Sequence, residues 1–308
     1  MSLKQLGFIP LPPHIRPGSF DHAAIHQGTG RLYVAHTVND AVDVIDCGQD
    51  RYLHSISGLT GVAGALVSDE RNLIFTSNRG ENTVGIFAPE DEVGLARVAV
   101  GVRPNGLAYD PKRNLLLAAN VGDPALPGSF TVSVVDVARE VMIADIPAPG
   151  RTRWAVYDAL AEVFSVNIME PAQIVVIDAT DPAWVTATIP ILVAGPHGLD
   201  LDSERGRLFC ACDGKELVVL DTRTRAVTDT HALSGVPDVV FFNAGLQRLY
   251  VAIGDPGVID VFDTAIMRRV ETVPTEKGAH TIGLAPACNK VYAFLPQSCG
   301  AAVYSDNG

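Results

Sequence analysis

Residues 196–235 read PHGLDLDSERGRLFCACDGKELVVLDTRTRAVTDTHALSG, and the fold follows from how this stretch is punctuated. GLDLD (198–202) alternates apolar and polar residues, RLFCAC (207–212) does so again, ELVVLD (216–221) is a near-continuous apolar run, and residues 226–233 make a weaker fourth segment. SERG, CDGK and DTRTR supply turn chemistry between them, so the stretch predicts four short strands joined by three turns. A sheet of that size cannot bury both faces alone. It needs copies of itself on either side.

The copies are present. The first strand recurs as DHAAIHQ (21–27), VAGALVSD (62–69), PNGLAYD (104–110), TRWAVYD (152–158), PHGLDLD (196–202), PDVVFFN (237–243) and AHTIGLAP (279–286). The second recurs as RLYVAH, LIFTSN, LLLAAN, VFSVN, RLFCAC, RLYVAI and KVYAFL, and the third as AVDVID, TVGIF, TVSVVD, QIVVID, ELVVLD, VIDVFD and AAVYS. Seven such units, about forty residues apart, predict an all-β, seven-bladed β-propeller of four-stranded antiparallel blades, one domain spanning residues 1–308. The last unit has only three strands before the chain ends, while KQLGFIP (4–10) is strand-like and belongs to no following blade. The N-terminal strand is therefore expected to complete the last blade and close the ring.

The repeat resembles that of the YVTN-repeat β-propellers over nearly the whole chain. The pattern P-x-G-x-A, R-x-Y-V-x-N, V-x-V-I-D is best kept in RPNGLAYDPKRNLLLAANVGD with TVSVVD, in NLIFTSNRGENTVGIF and in RLYVAHTVNDAVDVID. The resemblance implies the propeller fold and leaves function open, since the family includes binding proteins and, more distantly, lactonase-like and lyase-like propellers. The asparagine that closes the second strand in the family stands here as Asn78, Asn120 and Asn167 and is replaced by His36, Cys212, Ile253 and Leu295.

Composition narrows the partners. The chain has 308 residues, 47% of them hydrophobic, and a formal net charge of −12 with no offsetting basic run, which argues against nucleic acid and anionic membrane surfaces. No segment has transmembrane length, and MSLKQLGFIPLPP lacks the features of a signal peptide. As given the chain reads as soluble and cytoplasmic. Removal of an export signal upstream would place it outside the cytoplasm, as the resemblance allows. The five cysteines, Cys47, Cys210, Cys212, Cys288 and Cys299, are an odd number in a chain too large to need staples, so reduced thiols are expected.

No local catalytic motif is present: there is no GxSxG elbow, HExxH, phosphate-binding loop or EF-hand. A propeller gathers its site from distant repeats instead. Aligned on the small residue that follows, the residues opening the first strands are His22, Ala63, Asn105, Arg153, His197, Asp238 and His280. They should face the mouth of the central channel. His197, Asp238, His280 and His22 would form one arc there, a ligand set suited to zinc, iron or manganese, with Asp238 as ligand or general base. Asn105 and Arg153 face them, and Arg79, Arg103 and Arg151 add positive charge, so a small anionic molecule is the expected partner.

Three readings of this mouth stand side by side. One is a metal-assisted hydrolase or lyase on an anionic or lactone-like substrate. Another is a protein-interaction or sensor scaffold whose top-face loops bind a protein partner, with a polar, water-filled channel. The third, implied by the resemblance alone, is a metal-free lactonase or lyase with a histidine base. The longest connection, NVGDPALPGSF (120–130), is either a specificity loop over the mouth or a tolerated insertion. Trp154 is expected to pack between blades or stack on a ligand, and His26 to be a hydrogen-bonded core residue.

Overall fold

The computed structural model describes residues 3–308, in which 28 strands, numbered β1 to β28 in chain order, form seven four-stranded antiparallel sheets. Blade one holds β2 (Ala23–His26), β3 (Arg31–His36), β4 (Ala41–Asp46) and β5 (Arg51–Ser57), and five further blades repeat this order. Their first two strands are β6 (Val62–Ser68) and β7 (Leu73–Asn78), β10 (Pro104–Asp110) and β11 (Leu115–Asn120), and β14 (Thr152–Asp158) and β15 (Val163–Ile168). Then follow β18 (Pro196–Asp202) and β19 (Arg207–Cys212), and β22 (Val236–Asn243) and β23 (Arg248–Asp255). The last blade is β26 (Thr281–Ala285), β27 (Lys290–Leu295), β28 (Gly300–Asp306) and, as its outer strand, β1 (Leu3–Pro10). β1 pairs antiparallel with β28 from Leu3 opposite Asp306 to Pro10 opposite Gly300, which closes the ring as the three-strand remainder predicts.

Burial explains the two kinds of strand pattern. The third strands, such as AVDVID and ELVVLD, carry apolar side chains on both faces because each face meets a neighbouring blade. The fourth strands are mostly exposed, as in VTDTHA of blade five. Core clusters therefore lie between blades. One runs from Ile174 and Val176 of blade four to Leu199, Cys210 and Leu220 of blade five, and another joins Ile9, Leu32 and Ile45 to Phe294 and Val303 across the closure. The five cysteines are all free. Among the described residues no helix is long and apolar enough to cross a membrane.

The channel is interrupted. Trp154 reaches across the axis from blade four, its ring 3.8 Å from that of His22 in blade one and 6.4 Å from that of Phe241 in blade six. Trp154, His22 and Phe241 thus roof a chamber of about 400 Å³ whose walls include Tyr109, Tyr157 and Asp200. Burial pushes the Asp200 carboxyl up to about 7, although it accepts hydrogen bonds from the amides of Leu201 and Phe242. Above the roof lies the mouth formed by the turns that enter the first strands and leave the second. Backbone bonds tie these turns together, among them Asp213 N–H to Gly195 carbonyl and Met169 N–H to Arg151 carbonyl.

Candidate functional site

The inner strands begin with a bulge in which two residues oppose one, and the register identifies the ring of residues at the mouth. Val62 pairs Asn78 and Gly64 pairs Ser77, leaving Ala63 in the bulge. The same reading puts Asn105, Arg153, His197 and Asp238 there. In blade one Ala23 pairs Val34, and both the Asp21 amide and the His22 carbonyl bond to Ala35. Asp21, not His22, therefore occupies the ring position, which corrects the alignment by one residue in that blade. His22 sits one layer deeper, level with Gly64, Gly106, Trp154 and Gly198. In blades three and five only glycine fits at this level, because a Cβ on Gly106 or Gly198 would meet the carbonyl oxygen of Arg153 or Asp238 in the next blade.

A second slip concerns the asparagines. Asn78 and Asn120 close their strands, but Ile168 holds that place in blade four, and Asn167 aligns with Ser77. Both of these side chains tie blades together: Asn167 donates to the His197 carbonyl at 2.9 Å and Ser77 to the Asn105 carbonyl at 2.8 Å. His36 turns away from His22, toward His14 and Asp43.

His197 is the best-held side chain at the mouth. Its Nδ1 lies 2.7 Å from Asp213 Oδ1 and its Nε2 3.2 Å from Asp238 Oδ1. A carboxylate only accepts, so both ring nitrogens carry protons and the ring is an imidazolium. Burial opposes this charge, but Asp238 and Asp213 outweigh it, even with Arg153 nearby, and raise the His197 pKa to about 9. Asp238 correspondingly titrates below the usual carboxylate range: burial pushes it up, and His197, His280 and His22 more than reverse that. His22, enclosed beneath, is pushed down by burial in spite of Asp21 and Asp238, and is neutral.

His280 differs from both. Its Nδ1 donates to the Gly278 carbonyl at 2.8 Å, which leaves Nε2 with a lone pair, and the side chain is 30% exposed at the mouth with Asp238 Oδ2 at 3.9 Å. That nitrogen is open to a ligand.

The facing wall is cationic. Arg79 Nη2 bonds the Asn105 amide oxygen and lies 3.3 Å from Asp21 Oδ2, so Asn105 orients Arg79. Arg153 Nη2 is 3.8 Å from Asp213 Oδ2, with Nη1 3.2 Å from His197 Nε2. Nη1 cannot donate to a protonated nitrogen, so two cations are held side by side by Asp213 and Asp238. Arg151 is lowered by burial and then by Arg153, Arg79 and Arg103, which places four guanidiniums in one field. Among the described residues neither Arg103 nor Arg151 has a carboxylate within ion-pair distance, and the buried Nε atoms of Arg79 and Arg153 have no hydrogen-bond partner. In this network five cations (Arg79, Arg103, Arg151, Arg153 and His197) face three carboxylates (Asp21, Asp213 and Asp238), a local surplus in a chain of net charge −12.

His197, Asp238 and His280 are thus brought together, with His22 close beneath. Among the described residues, however, the group of three or more His, Cys, Asp or Glu whose ligand atoms all lie within 4.8 Å of one another is His14, His36 and Cys299, away from this arc. Asp213 was not anticipated. It and Arg79 share one repeat position, the residue after the second strand, and reading that position across the seven units would have found both.

No family model and no curated protein matches the chain. Among solved structures it is similar to hydrazine synthase of Kuenenia stuttgartiensis, at 13% identity and a TM-score of 0.81, with 96% of this chain and 97% of that one covered. It is equally similar to a chain of the mitotic checkpoint complex, at 12% identity and a TM-score of 0.82, covering 98% and 91%. At these identities the likeness is one of fold.

Proposed function

We propose that the channel mouth binds a small organic anion and performs proton-transfer chemistry on it. Arg79, Arg151 and Arg153 hold the anion and His280 acts as the base. The observation that carries this is the cluster of four guanidiniums with unpaired donors, since such a surplus is stabilised by a ligand of opposite charge. His280 Nε2 is free to remove a proton, and Asp238 beside it stabilises the imidazolium that forms. Hydrolysis of a lactone-like ring or a lyase step both begin with such a removal, next to an oxygen whose developing charge a guanidinium can stabilise.

A divalent transition metal, zinc, iron or manganese, on His280, Asp238, His197 and His22 is the metal-assisted form of this reading. It requires His197 to lose its proton and release Asp213 or Asp238, so metal uptake at the mouth should rise with pH. A protein partner is the second reading, favoured by Leu192 and Leu126, 98% and 52% exposed on loops of the same face.

Calorimetric titration with small mono- and dicarboxylates and inorganic phosphate tests the proposal. Arg153→Ala and Arg151→Ala should each weaken binding by about tenfold or more, while His280→Ala keeps affinity within a few-fold and abolishes turnover of any lactone that is opened. Absence of binding across the panel, or equal affinity in the arginine variants, would remove the anion site. Leu192→Asp should leave anion binding unchanged and disturb only a protein partner.

A further inference from the structure

Where the ring closes, three chain segments distant in sequence meet on the mouth face: the connection between β1 and β2, the end of β3, and the turn between β27 and β28. They bring His14, His36 and Cys299 together, with one ligand atom from each within 4.8 Å of the others. The hydrogen bonds around the two imidazoles fix their tautomers. His14 Nε2 lies 2.8 Å from the Pro296 carbonyl and His36 Nδ1 lies 2.7 Å from Asp43 Oδ2, and neither oxygen can donate. Both outer nitrogens therefore carry the proton. The inner pair, His14 Nδ1 and His36 Nε2, lies at the hydrogen-bonding distance of 2.7 Å, so one further proton bridges them.

That proton occupies the place of a metal ion: its loss gives each ring a lone pair toward the same point, and the nitrogens need to part by only about half an ångström to reach the spacing of two zinc ligands. Behind His36, Asp43 is fully buried and takes hydrogen bonds from His36 Nδ1 and from the Ser55 hydroxyl at 2.5 Å, which fixes the ring. We propose that His14, His36 and Cys299 bind a transition-metal ion, with zinc the first choice, and that the ion ties the N-terminal segment to the first and last blades. Two imidazoles and a thiolate suit zinc and copper and not magnesium or calcium. Asp43 behind His36 and the Pro296 carbonyl behind His14 are the outer partners that orient ligating histidines. His14 and Cys299 are only partly buried, which leaves a way in for the ion and room for water in a fourth position.

Binding replaces the contact of Cys299 Sγ with the Pro12 carbonyl, 2.9 Å, and releases the thiol proton. Burial raises the Cys299 pKa, so metal uptake should liberate that proton to solvent at neutral pH.

The test uses the full chain without an affinity tag, stripped with chelator and titrated with Co²⁺ and then Zn²⁺. The expected result is one bound ion per chain, with the intense visible bands of a four-coordinate site and a near-ultraviolet thiolate-to-cobalt band, all displaced by Zn²⁺. Cys299→Ser should abolish the thiolate band, and His14→Ala should weaken binding by about tenfold or more. Both side chains are partly exposed, and circular dichroism checks that the variants fold. His197→Ala at the channel mouth should leave the spectrum as it is, which separates this site from the mouth. Absence of the thiolate band in the wild type, or its persistence in Cys299→Ser, would overturn the assignment and leave a proton-bridged histidine pair in its place.

Discussion

The channel mouth and the ring closure both set imidazoles against carboxylates, yet they prepare histidine for opposite chemistry. At the mouth His197 has an acceptor on each nitrogen, Asp213 and Asp238, so it is held charged and has no lone pair to give. At the closure His14 and His36 each have an oxygen acceptor on one nitrogen only, and their inner nitrogens share one proton that a metal ion can replace. The number of acceptors around the ring decides whether a histidine serves as a cation or a ligand. Its place in the repeat decides only where it stands. His280, with one acceptor and one free nitrogen, is built on the closure's plan and placed at the mouth.

The largest effect expected is at the closure. Deleting residues 1–12 removes the outer strand of the last blade, with the buried side chains of Leu3, Ile9 and Leu11. It should cost at least about 3 kcal/mol in urea unfolding and abolish cobalt binding, while a circular dichroism spectrum of strand remains. A truncated chain as stable as the full one would mean that the ring does not depend on its closing strand, and the closure would lose its claim to a structural role.

The next effect belongs to the mouth and sharpens the contrast. His197 has a folded-state pKa raised to about 9 against about 6.5 for a free imidazole. Its contribution is therefore fully present below pH ~6.5 and is lost as pH rises through about 9, by up to about 3 kcal/mol. Urea midpoints measured from pH 6 to 9.5 should fall across that window, and His197→Gln should flatten the slope. A midpoint that does not change, or a slope retained in the variant, would show His197 to be neutral in the fold.

Much of this was legible before any coordinates. Alternation, turn residues and seven copies of one unit define the blades, and the three-strand remainder locates β1. Reading one position across the repeats found Asn105, Arg153, His197, Asp238 and His280. It failed in blade one because DHAA has no glycine to mark the bulge, so the small-residue rule matched Ala23 one step late and chose His22 over Asp21. The closure cluster was out of reach for another reason: His14 and Cys299 lie near opposite ends of the chain, and no spacing connects them until the ring closes. Trp154 shows the same limit. Packing between blades or stacking on a ligand is what the sequence suggests for it, but its span across the axis onto His22 depends on which blades face each other.

The smallest effect is expected from the long loop of blade three. Its base is tied by Asp123 and Ser129, and residues 124–128 stand exposed on the mouth face. Replacing those five residues by a short Gly-Ser link should change stability by less than about 0.5 kcal/mol and alter which anions bind. Unchanged selectivity with a lowered melting temperature would make the loop a packing element.

The contrast between the two regions is tested most directly by ¹⁵N NMR of the imidazole nitrogens in histidine-labelled protein, followed from pH 6 to 10. His197 should show both nitrogens protonated at pH 8 and titrate near about 9. His280 should carry a proton on Nδ1, and addition of Zn²⁺ should shift His14 Nδ1 and His36 Nε2 alone. A neutral His197 at pH 8, or zinc shifts at His197 with none at His14 and His36, would contradict the account.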